Sequence, residues 1–198
     1  LFFSFGLLFQ AFGESVFSYF IAFKQIDIPY PSLADVGYMG STILYLLGTY
    51  YLARVVGVRL SAKSLLYKII IVGIPLIILV SSYLYFLRGY EFDLADPVRI
   101  FLDYGYPLGD AVYVSIALAT LLSVKNFLGG IMKWPILFIL FAMIAQYLAD
   151  FNFLYQASNE TWINGWYGDL LYMTSYFITT LALIKLGTAF QKIRESQT

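Results

Sequence analysis

The sequence has no cysteine and no histidine. That removes disulfides, thiol catalysis, histidine-ligated haem and the usual zinc sites together. Charge is scarce as well: Asp, Glu, Lys and Arg make up 12% of 198 residues, where a soluble domain carries about 25%. The formal net charge is zero, so no basic domain is available for nucleic acid. Walker loops, Ser-x-x-Lys and metal-binding helix motifs are all missing from the sequence. A non-enzymatic protein without metal or cofactor is therefore expected.

What is present is apolar. The chain is 61% hydrophobic and 20% aromatic, against about 45–50% apolar residues in an ordinary domain. An apolar span takes roughly 20 residues, and polar breaks recur along the chain. The reading is all-α: an integral membrane six-helix bundle in one transmembrane domain, residues 1–198, with the lipid bilayer as its first partner. Expected spans cover about residues 1–23, 35–56, 69–87, 110–124, 134–155 and 169–190. Pro29 and Pro31 mark the first connection, and Pro75 should kink the third span or sit in its first turns. Trp134, Trp162 and Trp166 fall near span boundaries, as interface-belt aromatics do, and Lys185 is expected to snorkel to a membrane surface.

One short pattern occurs three times. Ala34-Asp35-Val36-Gly37-Tyr38, Gly109-Asp110-Ala111-Val112-Tyr113 and Gly168-Asp169-Leu170-Leu171-Tyr172 each follow a connection containing Pro or Gly and open an apolar run. They divide the chain into three two-helix repeats, about 1–60, 69–124 and 134–190. Three such hairpins around one axis would bring Asp35, Asp110 and Asp169 to a common level. An aspartate at a helix start also caps it, contributing about 0.5–2 kcal/mol. Ser32-Leu33-Ala34-Asp35 has capping-box spacing. Tyr38, Tyr113 and Tyr172, three residues after each aspartate, are either belt aromatics or part of a ligand site built on the same acids.

Glu14 and Asp150 lie inside spans, where an acid costs about 2.5–3.5 kcal/mol on insertion scales and is normally paired, protonated or functional. With Gln146, Asn152, Tyr19 and Tyr83 nearby they form a candidate polar site, the alternative being that they hydrogen-bond the broken connections at the membrane surface. The candidate ligand-binding set is thus Glu14, Asp35, Tyr38, Asp110, Tyr113, Asp150, Asp169 and Tyr172.

Cations set the expected orientation. Arg54, Arg59, Lys63, Lys68, Lys125, Lys133, Lys185, Lys192 and Arg194 fall on one side, and Lys24, Arg88 and Arg99 on the other. The first side is read as cytoplasmic, which places both termini of this cell-membrane protein in the cytoplasm and leaves an acidic outer face.

Pro31-Ser32-Leu33-Ala34-Asp35-Val36-Gly37-Tyr38, with Gly13-Glu14 in the helix before it and Tyr45-Leu46-Leu47-Gly48 after it, resembles the membrane-embedded input regions of prokaryotic diguanylate cyclases and sensor histidine kinases. The resemblance covers about residues 10–50; Tyr106-Pro107-Leu108-Gly109-Asp110 and Gly168-Asp169 keep only the aspartate. It implies a sensory module that passes a signal across the membrane. The charged octet after Phe190 is no output domain, so the expected receiver is a protein partner or a cytoplasmic domain outside this sequence. Two other readings compete with it. A small cation or proton-coupled transporter or channel would run a path past Glu14, Asp150 and the repeated aspartates, and an accessory subunit would use the Gly-rich second helix to join a larger assembly.

Overall fold

The computed structural model describes residues 1–55, 65–87, 95–127 and 132–195. Of the cations that set the expected orientation, Arg59, Lys63 and Arg88 lie outside the described residues, as does the Lys125 side chain. Among the described residues every regular element is a helix, and there is no strand. Helix α1 spans Phe2–Ser18 and continues in the wider π geometry over Tyr19–Lys24. Helix α2 is Leu33–Val55, α4 is Pro97–Phe127, α5 is Lys133–Ser158 and α6 is Tyr167–Glu195. Helix α3, residues 65–87, alternates α turns at Leu65–Lys68 and Ile74–Ser82 with π turns at Ile69–Gly73 and Tyr83–Leu87. Pro75 explains the first π turn: it offers no N–H to the carbonyl four residues back and its ring crowds that carbonyl, which a wider turn relieves.

Four of these helices, all but α2 and α3, are long and apolar enough to cross a membrane. Glycines and tyrosines dilute α2, and the π turns break α3 into short pieces. Large apolar side chains such as Phe9, Phe12, Leu148 and Phe177 stand on the outside of the bundle. A surface of that kind suits a hydrocarbon solvent.

The fourth helix starts earlier than expected. Tyr106-Pro107-Leu108-Gly109 suggests a connection ending at Asp110, yet α4 begins at Pro97 and runs through Pro107. Its start signal is Asp96-Pro97: the Asp96 carboxylate accepts the Arg99 amide at 3.0 Å, with proline at the first helical position. Asp110 consequently sits in mid-helix, 3% exposed, and caps nothing.

Helix α1 packs along α2, and α5 along α6; α4 joins the two pairs by contacting α2 and α5. A light contact of α6 with α1 closes a ring of five helices, and α3 lies outside it against α4 and α5. Backbone approach sets the tightest seam: a Cβ on Gly37 would fall 2.6 Å from both the Gly13 nitrogen and the Phe9 carbonyl oxygen, so α1 and α2 meet main chain to main chain. Away from that seam the core is made of Tyr45, Ile139, Leu140, Met143 and the alanines 117, 142 and 182.

Candidate functional site

The five-helix ring encloses a cavity of about 540 Å³ at the end of the bundle where residues 25–32 and 159–166 cross over and α4 begins. All eight candidate residues are on its wall: Glu14 from α1, Asp35 and Tyr38 from α2, Asp110 and Tyr113 from α4, Asp150 from α5, and Asp169 and Tyr172 from α6. Tyr19 and Tyr83 do not join them; both face outward, 47% and 55% exposed. Asn152 is held by Gln156 at 3.1 Å and is also off the wall.

The repeated aspartates play different parts. Asp35 is the third residue of α2 and completes a capping box: Oδ2 accepts the Ser32 amide at 2.7 Å while the Ser32 hydroxyl accepts the Ala34 amide at 3.2 Å. Its other oxygen faces the cavity and accepts the Tyr106 hydroxyl at 2.9 Å. Asp169, third in α6, reaches back to the amide of Gly165, whose φ of 79° lets the chain turn into the helix. Asp110 faces the Tyr113 hydroxyl from the middle of α4. Capping and cavity lining are thus combined at Asp35 and Asp169 and separated at Asp110.

Tyrosines from neighbouring helices hold the remaining acids. Asp150 accepts Tyr172 at 3.0 Å, Gln146 at 3.1 Å and Tyr113 at 3.4 Å, and Gln146 is fixed in turn by Ser175 at 2.9 Å. Glu14 accepts the Tyr176 hydroxyl at 2.9 Å, which itself accepts from Gln10 at 2.7 Å. Ser41 donates to Gln10, extending this chain of bonds from α6 through α1 to α2. Tyr38 lies across Gly13, which has no side chain in the way. Above the ring, Tyr30 donates to Asp103 at 2.7 Å, and burial together with that carboxylate holds the Tyr30 hydroxyl well above the usual tyrosine range.

Six carboxylates line the cavity, Asp103 being the sixth, against one described cation, Arg99. Arg99 stands 3.9 Å from Asp103 and 5.8 Å from the centre of the Tyr30 ring. Aromatic walls accompany the acids. Trp162, expected as a belt residue, instead folds over the cavity end, its indole N–H bonded to Asn164 at 2.9 Å and its ring edge-on to Phe153. Gly168 makes room for it, since a Cβ there would meet the indole at 2.3 Å. Trp134 and Trp166 do face outward.

Sequence reasoning missed Gln10, Tyr30, Asp103, Tyr106 and Tyr176. A signal for most of them was present. Arg99, Asp103, Tyr106, Asp110 and Tyr113 recur at three- and four-residue intervals along α4, as do Asp169, Tyr172 and Tyr176 along α6. Polar stripes of helical period inside apolar helices point to an interior polar space. Among the described residues no three acids come close enough together to hold a metal ion.

No protein-family model matches this chain, and no curated protein or solved structure is significantly similar to it.

Proposed function

We propose that this chain is a non-enzymatic, multi-pass membrane module of sensory type, built from three two-helix repeats, that receives a ligand in the five-helix cavity. The observation that carries the reading is the convergence of the repeated Asp-x-x-Tyr motif, Glu14 and Asp150 on one wall. A ligand that competes for Asp150 or Glu14 has to displace a tyrosine from another helix. Occupancy is thereby coupled to how the helices sit against one another, which is the differential interaction a two-state signal requires. The resemblance of residues 10–50 to sensory input regions supports the same reading. Among the described cations, Arg54, Lys68, Lys133, Lys185, Lys192 and Arg194 lie away from the cavity, with Lys24 and Arg99 near it. That distribution favours a cavity at the outer face and both termini in the cytoplasm, where an output partner would take up the signal. Transport is disfavoured because the buried core beyond the cavity is Ile139, Leu140, Met143 and alanines, and the buried hydroxyls of Thr49, Thr120 and Thr179 are spent on carbonyls of their own helices.

The test is thermal unfolding of the detergent-solubilised protein against inorganic cations, amines, amino acids, lipids and quinones, beside Asp150→Asn and Tyr172→Phe. A ligand at about 100 times its dissociation constant should stabilise by about 2.7 kcal/mol, and both variants should lose that shift. No response to any compound, with variants that are merely less stable, would make the cavity structural and favour the accessory-subunit reading.

A further inference from the structure

Resting on that reading, we infer that the ligand is an organic ammonium ion carrying an apolar chain, and that it enters from the bilayer through a cleft between α1 and α6. A second hollow, of about 440 Å³, runs along the flank where these two helices touch only lightly. Its mouth is mainly apolar, made by Ile21 and Ala22 of α1 and Met173 of α6, with Ser18 and Asn164 as its polar members. Its inner end is formed by Glu14, Phe17, Asp169 and Tyr172, which also line the main cavity, so the two spaces meet at these side chains. The bonds of Tyr176 to Glu14 and Gln10 bridge the seam.

The two halves of this passage select different parts of one molecule. Six carboxylates face one described cation in the main cavity, and a partly buried excess of acid is relieved by a ligand of opposite charge. A bare metal ion is poorly served, because no three described acids come close enough together to coordinate one. Tyrosine, phenylalanine and tryptophan faces around the acids favour a soft, substituted ammonium held by both charge and ring faces. The apolar mouth between two helices long enough to span a bilayer then accommodates the chain. A small soluble cation would leave that mouth unused, and a neutral amphiphile would leave the acids unmatched.

The chain-length dependence of binding separates these cases. The protein, carrying Trp134→Phe and Trp166→Phe so that Trp162 on the cavity wall is the sole tryptophan reporter, is placed in zwitterionic nanodiscs. It is then titrated with tetramethylammonium, decyltrimethylammonium and neutral decyl maltoside. Each buried methylene is worth about a fourfold gain in affinity, so decyltrimethylammonium should bind at least 100-fold more tightly than tetramethylammonium, and more tightly than the maltoside. Ala22→Phe, or Met173→Phe on the facing wall, should weaken the decyl compound at least tenfold and leave tetramethylammonium unchanged, which also shows that the variant is folded. Glu14→Gln should weaken both cations. Equal binding of the two cations, equal binding of the neutral amphiphile, or indifference of the decyl compound to both phenylalanine substitutions would overturn the inference. In each of these cases tetramethylammonium binding that is lost in Asp150→Asn would leave the cavity reading standing. Silence of both cations would overturn the inference, while a response to any other compound in the thermal screen would leave the cavity reading standing.

Discussion

At the scale of the residue, the same side-chain type does different work according to where its helix begins. Asp35 caps α2 and accepts a tyrosine from α4, so its two oxygens serve two purposes. Asp35→Ala should lower stability by about 0.5–2 kcal/mol through the lost cap alone, while Asp35→Asn keeps most of it; the difference in melting temperature between the two variants measures the cap. Asp110 has no capping duty, and Asp110→Asn should leave the start of α4 untouched in hydrogen exchange. Glycine positions separate just as cleanly. Gly37→Ala drives a methyl into the backbone of α1 and should destabilise by about 1–3 kcal/mol. Gly187→Ala, with nothing within 4 Å of its new methyl, should be neutral or stabilising by up to about 1 kcal/mol.

At the scale of the element, the weakest joint is the seam between α1 and α6. It lacks the backbone-to-backbone glycine contact that fastens α1 to α2 and is bridged by the hydroxyl of Tyr176. Tyr176→Phe removes both the Glu14 and the Gln10 bond and leaves a half-buried carboxylate with one donor fewer, a loss of about 1–3 kcal/mol. Its expected signature is local: faster amide exchange in α1 and α6, with α4 and α5 unchanged. Helix α4 shows the reverse case, in which a proline inside the helix is tolerated because Asp96-Pro97 supplies the start and the packed neighbours α2 and α5 hold the rest.

At the scale of the whole molecule, the side on which the cavity opens is open to a direct check. The chain has no cysteine, so single introduced thiols report position without background. With a membrane-impermeant maleimide on intact cells, Glu160→Cys, in the connection beside the cavity, should label, and Glu195→Cys, at the far end of α6, should not. Labelling of Glu195→Cys alone would invert the proposed orientation.

Class and helix content were legible in the sequence because they depend on local properties: apolar run length, polar interruptions and the scarcity of charge. The capping box at Ser32–Asp35 was legible for the same reason, since its partners are three residues apart. The start of α4 was misread because Pro107-x-Gly109 outweighed Asp96-Pro97, although a proline inside a helix is compatible with membrane packing. What the tertiary structure alone decided is which faces meet. Main-chain contact at Gly13 and Gly37 fixes α1 on α2, α4 ties that pair to α5 and α6, and α3 is left outside. Only that arrangement turns acids from five helices into one wall and places Tyr172 and Tyr176 within hydrogen-bond reach of Asp150 and Glu14. Periodicity assigns a residue to a face; only close packing between distant segments determines which faces meet.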